Sequence, residues 1–397
     1  MISHEEAQRY VLDQVRTLST VEVDLEFAVG SVAAIEVVAE EAVPPFDNSA
    51  MDGYAVRSSD TSDAPVDLAV VGTLAAGHAT DQVISVGEAL RIMTGAPLPA
   101  GADAVVLLER TQTTGSTVTV QIVVSPGTSV RTTGEDVRPG DLIVASGTIL
   151  TPSHLALLAS VGVNRVTTFR KPRVGVLSTG DELVNDGALR PGKIRNANGP
   201  ALRGLVRELG FETVDLGVVT DDEDDLTETI ERAVATCDAV VTTGGVSVGD
   251  ADNVRVALEH LGVARWMQIA LKPAKPLAFA VVRDVPVFGL PGNPGSAMVS
   301  FELFVRPALL RMAGRNDTNR LEVLATAIEG LPRARDGRAH FLWVVARQDD
   351  HGLWTVQLVG NQRTRQHAAS ANAFVLLAEG EGVTPGSSVR TTLVTYR

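Results

Sequence analysis

Between Val174 and Asp252 the chain alternates short apolar runs with loops of a recurring composition: VGVLSTGDEL, KIRNANGPALRGLVRELG, FETVDLGVVTDDEDDLTETIERAVATC and DAVVTTGGVSVGDAD. Apolar runs of strand length are separated by stretches with apolar residues at helical spacing. The order therefore reads strand, loop, helix, strand, helix, strand, loop. Each loop behind a strand carries Gly, Ser or Thr beside a carboxylate. In an open parallel sheet the ligand lies outside the carboxyl ends of the strands. That rule makes Ser178, Thr179, Gly180, Asp181 and Glu182, and then Thr243, Gly244, Gly245 and Ser247, the walls of a crevice.

The rest of the chain divides around this unit. With 397 residues, 45% of them hydrophobic, it is too long for one core and rich enough for several. Ser3 and Glu6 form a capping-box pattern ahead of an amphipathic helix, and the stretch from Val29 to Val38 reads as a second, short one. After Pro44-Pro45 the runs become short and β-branched as far as Val124. TPSHLALLASVG is a helix with Thr151 as cap and Pro152 at its first position. Lys171-Pro172 marks a boundary, and Pro307 should kink or restart the last helix of the α/β unit. Beyond Arg315, short strands alternate with DG, DDHG and EGEG turns.

The expected architecture is an α/β multidomain protein. A central, mostly parallel α/β domain covers 171–315 and a β-rich domain is inserted at 47–130. Residues 1–46 and 131–170 form a discontinuous α+β linker domain, and 316–397 form a small C-terminal β-barrel or sandwich.

The net charge of −14 disfavours a nucleic-acid backbone or an anionic membrane as bulk partner, and 4% aromatic residues leave few base-stacking platforms. If the ligand is an anion, a local group of cations or a metal must reverse the field. Cys237 is the one cysteine, beside an apolar run, so it is expected as a small buried hydrophobe rather than a thiolate ligand. The N-terminus has no basic-then-apolar signal pattern, and no apolar run approaches the roughly 18 residues needed to span a bilayer. We expect a soluble cytoplasmic protein.

TTGGVSVGDAD lacks the G-x-G-x-x-G spacing of a dinucleotide site, and GALRPGKI (187–194) has Ile194 where a Walker loop needs Ser or Thr. The glycines of TTGG still let backbone approach a ligand at a helix start, where free N–H groups favour phosphate. Loop carboxylates recur at Asp47, Asp52, Glu135, Asp136, Asp181, Glu182, Asp250 and Asp252. Each alone suits an Asx-type turn. Together, with no thiolate set and no paired histidines, they favour Mg²⁺ over zinc. In KPAKP, Lys272 and Lys275 sit on a proline-stiffened loop, an anion clamp or a solvated turn. Arg195, Asn196 and Asn198 precede a helix and suit phosphate contacts or capping. In PGNPGSA, Pro291, Asn293 and Ser296 open another helix.

PPFDNSAMDGYAVR, RIMTGAPLPAGADAVV, GEDVRPGD, VLSTGDEL, GKIRNANG, TTGGVSVGDAD, KPAKPLAFA and GLPGNPGSA occur in one order between Met1 and Gly314. In these blocks the chain resembles the molybdopterin molybdenumtransferases, the family of bacterial MoeA and the gephyrin E domain. The resemblance implies four domains with a β-barrel at the C-terminus, a homodimer, and Mg²⁺-dependent insertion of molybdenum from molybdate into adenylylated molybdopterin with release of AMP. It implies a catalytic set of Asp47, Asp136, Glu182, Asp250, Asp252, Lys272 and Lys275, with Thr94 and the loop residues named above binding the substrate and Asp47, Glu182 and Asp250 on the metal. The same resemblance implies a site shared by two subunits, and dealings with the adenylyltransferase that supplies the substrate and the molybdoenzymes that accept the cofactor. The other reading is a non-catalytic molybdopterin-binding or scaffold protein. Two departures stand out. Ala274 replaces the family's usual Gly in KPGKP, and the NQRTRQHAASAN stretch carries Arg363, Arg365 and His367 where small residues are usual.

Overall fold

A computed structural model describes residues 1–246, 253–360, 369–378 and 382–394. Ser247, Asp250 and Asp252, like Arg363, Arg365 and His367, lie outside the described residues. The fold comprises two compact units. One contains Met1–Val21, Gly30–Ala34 and the chain from Thr168 onward; the other contains Glu22–Val29 and Ile35–Thr167.

The first unit is built on β1 (Arg173–Thr179), β2 (Glu212–Val219), β3 (Ala239–Thr243), β4 (Val263–Gln268), β5 (Pro276–Val282) and β6 (Val285–Leu290), in sheet order β2-β1-β3-β6-β5-β4. The first four in that order run parallel, and β5 and β4 continue the sheet antiparallel. Side chains alternate across a strand, so β1 feeds two cores. Val174 and Val176 pack with Leu202 and Val206 of α1 (Asn198–Glu208). Leu177 packs with Leu226 and Ile230 of α2 (Glu223–Val234) and Val254 of α3 (Asn253–Leu261). Asp222 caps α2 through the amide of Asp225, which makes the acidic run at 221–225 a helix start complementing the dipole.

Several elements follow the sequence reading. Ser3 caps the helix His4–Gln14, which buries Ala7 and Val11. Cys237 is buried, and burial pushes its thiol pKa up. The helix Pro294–Ser300 passes through a π-helical turn, Phe301–Val305, and restarts as Arg306–Met312 with Pro307 in its first turn. The missing N–H of a proline suits a helix start, so the predicted interruption is resolved by a widened turn. Past this helix, Glu322–Ala327, Ala339–Gln348, Trp354–Leu358, Ala373–Leu377 and Ser388–Leu393 close a five-stranded barrel, with Ala339–Gln348 pairing both Trp354–Leu358 and Ala373–Leu377.

In the second unit a six-stranded sheet spans Gly53–Val56 to Thr117–Val120, and Thr151 caps Pro152–Ser160 in a capping box completed by His154. The helix expected from Val29 to Val38 does not form. Gly30 adopts φ +75°, and Val37–Val38 is instead a short strand paired with Leu142–Val144. Valines at these positions suit a pleated surface as well as a helix face, and a distant partner decided the outcome.

Candidate active site

In the α/β unit the strand-end loops bind one another through the residues expected to line the crevice. Ser178 Oγ donates to Asn196 Oδ1 at 3.1 Å, and Thr179 Oγ1 donates to Asp221 Oδ1 at 2.7 Å. Asp221 is also tied to Asp181, whose Oδ1 accepts the Asp221 amide at 3.3 Å. Asn198 Nδ2 donates to Thr243 Oγ1 and to the Gly292 carbonyl, both at 2.8 Å, while Thr243 Oγ1 donates to the Pro291 carbonyl at 3.0 Å. One carboxamide thus joins the end of β3 to the loop after β6. The capping role expected at Asn198 belongs to Asn196, whose Oδ1 accepts the Gly199 amide at 3.0 Å. Arg195 donates to the Gly187 carbonyl. Asn293 accepts from the amides of Gly295 and Ser296, so the helix start at Pro294 is already capped by a side chain.

Glycine is favoured at two points here. Gly244 has φ +102°, and a Cβ would stand 2.2 Å from the Thr179 carbonyl oxygen; Gly180 has φ +147°, a conformation L side chains rarely adopt. A narrow pocket in the cleft, lined by Thr179, Glu182, Asn196, Asn198 and Thr243 among others, holds about 40 Å³. An open groove of about 490 Å³ adjoins Gly180, Asp181 and Thr220. Drug-sized ligands occupy several hundred cubic ångströms. A ligand of that size would extend beyond the narrow pocket into the open groove.

The two-lysine loop joins the α/β sheet to the barrel. Leu271–Lys272 pairs parallel with the barrel strand, Lys272 opposite His340, and the Ile269 amide donates to the Lys275 carbonyl at 2.7 Å. The register brings in residues that the sequence reading passed over. Asp336 lies 3.6 Å from Lys272 Nζ, 2.6 Å from an Arg338 guanidinium nitrogen and 3.2 Å from His340 Nε2. Hydrogen bonding to Arg338, then to His340, holds the Asp336 carboxyl far below the usual range despite some desolvation. The available signal is the run RARDGR (333–338), three arginines around an Asp-Gly turn.

Ala274, in the same loop, has φ +75° and is 2% exposed. An L-residue in this region costs about 1–2 kcal/mol, whereas its buried methyl returns about 0.8 kcal/mol. Ala274→Gly should accordingly leave stability within about 1 kcal/mol of the parent, checked by thermal denaturation; a Tm fall of ten degrees would show that the methyl, not the strain, dominates.

In the second unit the FDNSAMDG segment is held between two other loops. Asp47 Oδ1 accepts from the Thr133 amide and hydroxyl at 2.7 and 2.8 Å, and Asp52 Oδ1 accepts from the Thr94 amide and hydroxyl at 2.8 Å each. These bonds lower both carboxyl pKa values, so both aspartates are anionic at neutral pH. Thr94, expected to meet substrate, spends both donors on Asp52, and Asp136 is ion-paired with Arg131. In both aspartates the bonds converge on Oδ1, leaving Oδ2 without a hydrogen-bond partner among the described residues. Among those residues no three carboxylate, histidine or cysteine side chains gather as a metal site. The donors available, the free carboxylate oxygens of Asp47 and Asp52 on this segment, nonetheless fit the chemistry of a hard cation.

An open α/β sheet with glycine-rich loops at its carboxyl edge, followed by a small barrel, defines a multidomain α/β protein with a crevice where such sheets hold their ligands. Residues 2–162 match the MoeA N-terminal region (domain I and II), and residues 175–311 match the probable molybdopterin binding domain. The chain is 37% identical to the molybdopterin molybdenumtransferase of Haemophilus influenzae, covering 98% of both chains, and 34% identical to that of Bacillus subtilis, covering 98% of this chain and 93% of the relative. It superposes on the molybdopterin biosynthesis MoeA protein of Pyrococcus horikoshii with a TM-score of 0.84 and 35% identity over the whole of both chains. The chain belongs to the molybdopterin molybdenumtransferase family.

Proposed function

We propose that this protein inserts molybdenum from molybdate into adenylylated molybdopterin, releasing AMP and yielding molybdenum cofactor. The observation that carries the reading is the cation group at the two-lysine loop. In a chain of net charge −14, Lys272, Arg338 and His340 converge on one carboxylate within 3.6 Å. Such a group is what an oxyanion substrate needs in an acidic protein. Lys272 and Lys275 bind molybdate; Thr179, Gly180, Thr243 and Gly244 border the pyrophosphate; Asn196 and Asn198 keep the loops in register rather than reaching for the ligand.

Mg²⁺ held by Asp47, Glu182 and Asp250 would polarise the phosphoryl bond that breaks. Thr133 keeps Asp47 ionised for that purpose by donating twice to Oδ1. Asp47 and Glu182 belong to different compact units, and we place the working site in a homodimer, with Asp47, Thr94 and Asp136 supplied across subunits. The protein works in the cytoplasm and serves molybdoenzyme acceptors; no helix among the described residues is long and apolar enough to cross a membrane.

The test is AMP release from adenylylated molybdopterin with molybdate and Mg²⁺ varied in turn. Release should require both. Tight binding of the adenylylated substrate without release under any condition would instead support the scaffold reading.

A further inference from the structure

The segment 331–340 leads into the barrel strand Ala339–Gln348 and carries three arginines, one aspartate and one histidine. Parallel pairing of Lys272 with His340 sets it beside the two-lysine loop. Gly337, at φ +71°, turns the chain between Asp336 and Arg338, and Arg333 braces the turn by donating to the Arg338 carbonyl at 2.7 Å. Asp336 then stands where a ligand would. Its Oδ2 meets Arg338 and Lys272, its Oδ1 meets His340, and every one of these partners is a cation or a donor.

We propose that Asp336 is an intramolecular competitor of the incoming oxyanion and thereby a specificity-determining residue. It occupies the Lys272 and Arg338 head groups until a dianion displaces it. This inference rests on the reading of Lys272 as an oxyanion ligand. A carboxylate offers one negative charge on two oxygens, and a tetrahedral dianion offers two on four. A monoanion gains little by exchange, whereas molybdate or sulfate gains a full charge against the same cations. Displacement is feasible because Lys272 is half-exposed and its 3.6 Å pair with Asp336 is weak. The arginine bond at 2.6 Å is the stronger restraint.

Calorimetric titration of the full-length protein with sodium molybdate, sulfate and nitrate tests this on wild type, Asp336→Asn and Lys272→Ala, each checked for folding by circular dichroism. Asp336→Asn should bind molybdate roughly two- to fivefold tighter, the range expected for removing one partly exposed charge partner, and should lose part of its preference over nitrate. Lys272→Ala should bind molybdate more weakly. If Asp336→Asn binds molybdate no tighter while Lys272→Ala is weakened, the competitor role is overturned and Asp336 is an organiser of the cations. If Lys272→Ala binds molybdate as wild type does, the oxyanion assignment of the loop itself fails, and this proposal falls with it.

Discussion

Replacing Lys275 by alanine is expected to raise the molybdate concentration for half-maximal AMP release at least tenfold, about 1.4 kcal/mol, with little change in Mg²⁺ dependence. The lysine rides on a backbone that is already fixed. Its carbonyl accepts from the Ile269 amide at 2.7 Å, prolines flank the loop at 273 and 276, and Ala274 is buried between the two lysines. Little backbone freedom remains to be lost when an anion binds, so most of the attraction is realised. Two unit charges 4 Å apart near a protein surface attract by about 4 kcal/mol, and solvent at a half-buried lysine screens part of that. Tenfold is the modest end of what remains. Lys275→Arg keeps the charge but alters its shape, and should fall between the parent and alanine. An alanine variant with the parent's molybdate dependence would remove Lys275 from the site.

Much of the framework was written locally. The apolar runs between Val174 and Thr243 became β1, β2 and β3 with α1 and α2 between them, because their periods and their caps agree. Ser3 and Thr151 cap the helices that their spacing announced. What was not legible depends on partners far along the chain. Val37–Val38 became a strand because Leu142–Val144 pairs with it. Asn196 rather than Asn198 caps the helix because Thr243 and Gly292, which no local pattern could place, lie within reach of Asn198. Asp336 met Lys272 through the pairing of Leu271–Lys272 with a strand some 70 residues later, so the cation cluster is a product of register rather than of any motif. Local patterns reported the elements and their ends; the contacts that tune the site came from topology.

Gly244→Ala is expected to damage the same site from its framework side, lowering AMP release by a hundredfold or more and lowering Tm. The new methyl would stand 2.2 Å from the Thr179 carbonyl oxygen, a backbone atom at a strand end, and a Cβ has no rotamer to move it away, so no side-chain rotation relieves the clash. The φ of +102° adds strain of its own for any L-residue. Either β1 or β3 must shift. β3 is anchored by the Gly244 amide on the Leu290 carbonyl at 3.1 Å and by Thr243 on Pro291, so movement there pulls the loop after β6 with it. Combined strain and lost hydrogen bonds of this kind reach about 3 kcal/mol or more, and a displacement near 1 Å at positioning loops can by itself cost about a hundredfold in rate. Two comparisons separate this from a general dislike of alanine. At Gly292 a Cβ would meet only the Gly244 Cα, at 3.5 Å, an ordinary contact, so Gly292→Ala should be far milder. Gly204 lies within α1 with nothing inside 4 Å of a new Cβ, and Gly204→Ala should stabilise by about 0.5–1 kcal/mol. If Gly244→Ala retains the parent's activity and Tm, the close packing of β1 against the TTGG loop is not what holds the crevice in shape.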